Sequence, residues 1–312
     1  MIAFCGIALA HPVVNGSGTF DALAARRAFG DALVEQFPFS AFVSKTITLQ
    51  PREGNPPPRL WEAPAGLINS IGLPNRGLDG YLEHDLPRLA ELGVPLITNV
   101  MGSTASEVSR LVEAIDARDE VAAIELNVSC PNVETGLDIG ADPASLAALV
   151  RAVRPLTRKP LIVKLTPNTA DVAAVALAAE AEGADAVSLI NTLRASALAP
   201  GGGGRPWLGG VTGGLSGPTI RSIALAQIAA VARRVSMPVV GMGGVTQGAH
   251  ALDLLDAGAT LVAVGTESFR DPAAGVRIAR ELKSLQIAGS GSMCLNESEP
   301  QVQVDVKSAD SH

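Results

Sequence analysis

Short runs of β-branched and other apolar residues recur along the chain. Each is followed by a polar or glycine-rich turn, then by an alanine- and leucine-rich stretch with helical spacing. Eight runs read as strands, at 12–15, 41–45, 95–100, 122–127, 160–165, 186–191, 238–241 and 260–265. Helical patterns lie between them, among them 104–117, 143–153, 169–181, 217–235 and 249–257. Eight β-then-α units within about 285 residues predict an α/β protein, a (β/α)8 TIM barrel with long catalytic-face loops. A doubly wound sheet would carry its glycine-rich nucleotide turn early, and here the glycine clusters come late. Three connections are longer than a plain barrel needs: 46–80, 131–142 and 193–217, the last with nine glycines. Long βα loops belong to the catalytic face, and the glycine-rich one reads as a mobile lid. From 286 onward periodicity stops and Ser, Glu and Asp dominate. The expected division is a barrel over 1–285 and a disordered tail over 286–312.

Composition narrows the function. Apolar residues make up 47% of the 312, enough for a large core, and aromatics only 3%. The net charge of −7 argues against a nucleic-acid partner and against attraction to an anionic membrane. No run of about 18 uncharged apolar residues suggests a membrane span. The opening stretch resembles a short signal h-region but lacks a basic start, so a cytoplasmic protein is expected. Three scattered cysteines (Cys5, Cys130, Cys294) suit a reducing compartment and cannot supply the four thiolates of an iron–sulfur cluster. His11, His84, His250 and His312 show no metal spacing, so no metal site is expected. His250, on a helix, reads as a surface residue.

Polar residues gather where a barrel keeps its active site, at the carboxyl ends of the strands. Ser17 follows the first run, Lys45 ends the second, Asn99 the third, Asn127 the fourth and Lys164 the fifth; Asn191 and Thr192 end the sixth. One such residue is most simply a cap or turn residue; the whole set is not. Gly241-Met242-Gly243-Gly244 and Val264-Gly265-Thr266-Glu267-Ser268 follow the last two strands. Backbone N–H groups there, beside helix N-termini, predict a phosphate cradle. Glu125 and Asp185 precede the strand ends, which leaves Cys130 and the two lysines for proton chemistry. The asparagines Asn69, Asn75, Asn99, Asn127, Asn132 and Asn191 both donate and accept, suiting a flat ligand such as a pyrimidine or a flavin ring. A cysteine is often a small buried hydrophobe, but Cys130 precedes a proline in a polar loop after a strand end. Nearby lysines favour its thiolate, and a thiol base suits removal of a weakly acidic C–H proton.

Six motifs occur together: Lys45-Thr46-Ile47-Thr48-Leu49, Pro51-Arg52-Glu53-Gly54-Asn55-Pro56, Asn69-Ser70-Ile71-Gly72-Leu73, Asn127-Val128-Ser129-Cys130-Pro131-Asn132, Ile190-Asn191-Thr192 and Gly213-Gly214-Leu215-Ser216-Gly217-Pro218. In this order, over residues 2–285, they resemble the soluble class 1 dihydroorotate dehydrogenases, FMN-dependent barrels of pyrimidine (UMP) biosynthesis. The resemblance implies one FMN per chain, contacted by Ser17, Lys45, Thr46, Asn99, Asn127, Lys164, Ile190, Gly217, Gly243, Gly244, Gly265 and Thr266. It implies dihydroorotate or orotate held by Lys45, Asn69, Ser70, Ile71, Gly72, Leu73, Asn127, Asn132, Asn191 and Thr192. It makes Cys130 the catalytic base, assisted by Lys45: a proton leaves C5 of dihydroorotate as hydride leaves C6 for the flavin. Cations beside the ring would stabilise its reduced, anionic form. The membrane-bound class 2 has serine where Cys130 stands.

The 241–244 and 213–218 stretches are most similar to class 1B. That implies a heterotetramer in which a homodimer pairs with an electron-transfer subunit carrying FAD and a 2Fe-2S cluster and passing electrons to NAD. The 69–75 stretch leans toward class 1A, a fumarate-using homodimer. His11, the 194–210 segment and the tail depart from the family pattern. The rivals explain less. A Schiff-base aldolase on Lys164 or Lys45 leaves Cys130 and the asparagines unused. A tRNA dihydrouridine synthase or similar flavin barrel would need a basic surface, and a non-catalytic scaffold should have lost Cys130 or the lysines.

Overall fold

The computed structural model describes residues 1–129 and 139–293. The chain opens with a hairpin, β1 (Ile2–Phe4) and β2 (Ile7–Leu9), turned by Cys5 and Gly6 at φ 48° and 81°. The barrel begins with β3 (Val13–Asn15) and β4 (Phe42–Val43). Strands β5 (Leu60–Ala63) and β6 (Gly66–Asn69) form inside the long loop that follows. Then come β7 (Leu96–Val100), β8 (Val121–Asn127), β9 (Leu161–Lys164) and β10 (Ala186–Leu189). Strands β11 (Leu193–Ala195) and β12 (Gly213–Ser216) lie in the glycine-rich loop, before β13 (Val239–Met242) and β14 (Leu261–Val264). Eight strands pair in parallel in the order β3-β14-β13-β10-β9-β8-β7-β4, the barrel that the hydrophobic rhythm predicts.

Strand alternation explains why the barrel is apolar below and polar above. Val14, Val43, Ile97, Ala123, Ile162, Ala186, Val240 and Ala263 fill the lower interior, and Phe4 and Leu9 of the hairpin pack beneath them. Two residues further along, the same inward face carries Asn99, Glu125, Lys164 and Ser188. The outward residues form a second core against the helices. These start where capping chemistry says: Thr104, Asp142 and Asp171 each accept a hydrogen bond from a first-turn amide. The helix expected from 169 therefore begins at Val172. The one expected from 217 opens as a 3-10 turn, Pro218–Ile220, before Arg221–Ala232.

The seam between β3 and β4 is bridged by a side chain. The Val43 N–H donates to Asn15 Oδ1 at 2.8 Å, and Asn15 Nδ2 donates to the Val43 carbonyl at 2.8 Å. The fully buried amide thus stands in for a missing rung of backbone ladder. Asn15→Ala should cost about 3 kcal/mol, because both Val43 groups lose their partner without gaining water. A urea midpoint displaced by less than about 1 kcal/mol equivalent would contradict this.

The two long loops are not free segments. They pair as an antiparallel sheet, β11-β12-β6-β5, beside the barrel mouth. The lid expected over 193–217 is thus in part a strand, and its glycines have a packing reason. A Cβ on Gly214 would collide with the Thr192 side chain, and one on Gly213 with the Asn69 carbonyl. The four glycines 201–204 all have positive φ and open surroundings, as a turn requires. The last helix, Ala274–Met293, runs past residue 285. Ile278 and Leu282 are buried, whereas Ile287 is 62% exposed, so the periodicity fades where the helix leaves the core. Residues 294–312, with Cys294, lie outside the described residues.

Candidate active site

The carboxyl ends of the strands surround a cavity of about 650 Å³. Its lining contains Ser17, Lys45, Thr46, Asn127, Lys164, Ile190, Asn191 and Thr192 from the barrel. Asn69, Ser70, Ile71, Gly72 and Leu73 come from β6 and the loop after it, and Gly217, Gly243, Gly244, Gly265 and Thr266 from the turns. These are residues that the sequence singles out from seven different loops. Asn99 is different: it is completely buried and does not line the cavity. It lies on the inward face of β7 below the mouth, where Nδ2 donates to Glu125 Oε2 at 3.0 Å. Cys130 and Asn132 lie outside the described residues.

Two lysines line the cavity, Lys45 after β4 and Lys164 at the end of β9. Lys164 is 7% exposed; burial pushes its pKa down, and the Glu125 carboxylate pulls it back up. Lys45 presents its surface to the cavity. The enclosing walls lower its pKa as well, with Asp21 opposing. Two partly desolvated ammonium groups make the pocket attractive to negative charge.

Amides tie the polar wall together. Asn127 Nδ2 reaches Thr46 Oγ1 at 3.4 Å, and the Ser129 N–H donates to Asn127 Oδ1 at 3.3 Å. Asn191 Nδ2 donates to Ser129 Oγ at 2.9 Å, while its Oδ1 accepts the Thr192 N–H at 2.9 Å. Asn69 Nδ2 donates to the Gly214 carbonyl at 3.2 Å, which couples the wall to β12. Asn55 holds the loop after β6 through Ser70, donating to its Oγ at 3.0 Å. Ser129 and Ser216 are pocket residues that motif reading passes over. Ser216 accepts from Thr266 Oγ1 at 2.9 Å, joining β12 to the turn after β14. Its signal in the sequence was only a serine in a glycine-rich run.

The two glycine turns follow β13 and β14. Gly243 and Gly244 have φ of 136° and 69°, and Gly265 opens the 3-10 helix Thr266–Phe269. The next helix, Gly248–Asp256, is less available to an anion than the sequence suggests: its Gly248 N–H already donates to Glu281 Oε2 at 2.6 Å. A phosphate cradle here would therefore rest on the turns. His250 is half-buried rather than on the surface, with Nδ1 3.1 Å from Thr246 Oγ1.

The donor set fits an FMN-like molecule. The lining carries cations and amides suited to a heteroaromatic ring, apolar Ile190, Ile220, Met101 and Met242, and glycine turns suited to a phosphate. Among the described residues no cluster of His, Cys, Asp and Glu could hold a metal. No helix among them is long and apolar enough to cross a membrane. Cys5 sits on the far side of the barrel, its thiol pushed up to about 11 by burial and by Asp185, which is no setting for a nucleophile.

Comparison with known proteins agrees with this geometry. The family model described as dihydroorotate dehydrogenase matches residues 1–285. The chain is 45% identical over 283 residues to a protein of Citrifermentans bemidjiense, covering 90% of this chain and 91% of that one. It is 44% identical over 286 residues to a Desulforudis audaxviator protein, with the same coverage of 90% and 91%. It is 43% identical over 286 residues to one of Geobacter sulfurreducens, again at 90% and 91%. All three relatives bear the name dihydroorotate dehydrogenase B (NAD(+)), catalytic subunit.

Proposed function

The chain belongs to the dihydroorotate dehydrogenase family, and from that premise we propose that it is the FMN-carrying catalytic subunit of an NAD-linked enzyme of this kind. It is an oxidoreductase that converts dihydroorotate to orotate, a step of pyrimidine biosynthesis. The observation that carries the assignment to this pocket is the meeting of Lys45, Lys164, three asparagines and two glycine turns around one cavity.

Bound FMN supplies a two-electron hydride acceptor. The turns at Gly243–Gly244 and Gly265–Thr266 would hold its phosphate. Lys164, with Ser17, Thr46 and Asn127, would contact the ring, and the lysine charge would favour the electron density that reduction adds. Asn69, Asn127, Asn191 and Thr192, with Asn132, orient dihydroorotate through its amide and carbonyl groups, and Lys45 offers a cation to its carboxylate. Cys130 takes the C5 proton as the C6 hydride departs, leaving the C5–C6 double bond of orotate. The β11-β12-β6-β5 sheet, beside the mouth, contributes Asn69 and Ser216 to the cavity wall.

The names of the relatives, as catalytic subunits, support a companion subunit that carries FAD and a 2Fe-2S cluster and reduces NAD. The expected assembly is a homodimer of this chain joined to two such partners. Reoxidation tests this. The reduced chain alone should transfer electrons to neither NAD nor fumarate, and co-expression with an electron-transfer subunit of this kind should open the route to NAD. Rapid reoxidation of the lone chain by fumarate would instead assign it to the fumarate-using class.

A further inference from the structure

The pocket rests on a polar layer that the reaction itself does not use. Glu125 is 3% exposed on the inward face of β8, above alanines and aliphatic residues. The strand register puts Glu125 opposite Ile162 and Asn127 opposite Lys164. The carboxylate therefore lies one layer below the ammonium that lines the cavity. Both of its oxygens are engaged: Oε1 accepts from Ser188 Oγ at 2.6 Å and Oε2 from Asn99 Nδ2 at 3.0 Å.

This arrangement fits a carboxylate better than a carboxylic acid. The 2.6 Å contact lies in the range of hydroxyl-to-anion hydrogen bonds. Asn99 points its nitrogen at Glu125, although this leaves Asn99 Oδ1 buried with no partner. An anion accepts only, so it imposes that orientation; a protonated Glu125 could have donated to Asn99 Oδ1. A buried anion costs several kcal/mol unless compensated, and the two donors leave its charge otherwise unopposed. Among the described residues, the charged groups at this layer and just above it are Glu125 from β8, Lys164 from β9 and Lys45 after β4. The neighbouring strands β7 and β10 contribute neutral Asn99 and Ser188. Glu125 is the one described group whose charge acts on Lys164, in which it opposes the effect of burial.

We infer that Glu125 is a positioning residue for the redox step: its fixed negative charge holds Lys164 as an ammonium beneath the flavin site. The inference rests on the function proposed above. Without Glu125, burial acts on Lys164 unopposed and the amine gives up its proton at lower pH. A neutral amine stabilises an electron-rich ring less well, and its hydrogen bond is weaker than a charge-assisted one.

The test is Glu125→Gln in the holoenzyme, which retains shape and one acceptor. Two quantities are read across a pH series from acid to alkaline conditions: the flavin midpoint potential and the FMN dissociation constant. The variant's potential should lie at or above that of the unaltered chain at the acid end and below it at the alkaline end. Its FMN affinity should fall about tenfold more than the unaltered chain's over the same span. In a Lys164→Met background, Glu125→Gln should add no pH dependence. Should Glu125→Gln fail to fold, Ser188→Ala removes one donor to the carboxylate and should produce a smaller change of the same sign. Potentials that run parallel at every pH, or a pH dependence that survives Lys164→Met, would overturn the inference while leaving the proposed function intact. An unaltered chain that takes up no FMN would overturn the function instead.

Discussion

Cys130→Ala should leave the flavin bound and reduce dihydroorotate oxidation by about 10²- to 10⁴-fold, the usual contribution of a positioned general base. The reason lies in what surrounds the cavity. Its walls present lysines, amides and hydroxyls, and among the described residues lining it the carboxylate is Glu267, on the turn after β14 with Thr266. That side chain is held by Arg277, whose Nη2 lies 3.0 Å from Glu267 Oε1. Ammonium groups cannot take a proton, and amides are far too weak as bases. Cys130 follows directly on Ser129, which lines the cavity and accepts from Asn191. In the sequence Cys130 stands three residues after Asn127, which also lines the cavity. Stopped-flow reduction separates base chemistry from binding: the variant should bind orotate with little loss and be reduced slowly. Cys130→Ser should regain part of the rate as pH rises. Reduction of Cys130→Ala at the unaltered rate would remove the thiol from the mechanism.

Gly244→Val should give a chain that no longer prefers FMN to riboflavin. Gly244 has φ 69°, where a β-branched residue is strained. Its Cβ would lie 2.7 Å from Arg221 Cβ and 3.0 Å from the Gly217 carbonyl. Neither neighbour is the free end of a flexible chain: one is the root of the first residue of a helix and the other is backbone at the pocket wall. Relief must move the Gly243–Gly244 turn, and with it the amides that would face a phosphate. The unaltered chain should bind FMN at least about 100-fold more tightly than riboflavin, as several amide-to-phosphate hydrogen bonds require. In the variant the ratio should fall toward one. An unchanged ratio would place the phosphate elsewhere.

The eight barrel strands were legible because each is an apolar run bounded by turn chemistry, and a parallel barrel buries both faces of such runs. Strand alternation then made the site legible, since the residues past the apolar layer point into the mouth whatever their identity. Thus Lys45, Asn127 and Lys164 could be placed by position alone. The sheet of β5, β6, β11 and β12 was not legible. Its strands have three or four residues, two of them begin with glycine, and their pairing spans about 150 residues of chain. Close backbone approach, not propensity, selects those glycines, and it leaves the same mark on a sequence as flexibility does. The burial of Asn99 against Glu125 was not legible for a related reason. Both sit near strand ends, but depth below the barrel mouth depends on stagger between neighbouring strands, and only the paired register shows that they face each other.

The most direct test of the whole account is an anaerobic visible spectrum of the chain purified alone, taken before and after addition of dihydroorotate. The account predicts the absorption of a bound flavin, stoichiometric with the chain, that bleaches when dihydroorotate is added, with orotate appearing in equal amount. A protein that stays colourless after FMN is supplied, or a flavin spectrum that dihydroorotate leaves unchanged, would contradict it.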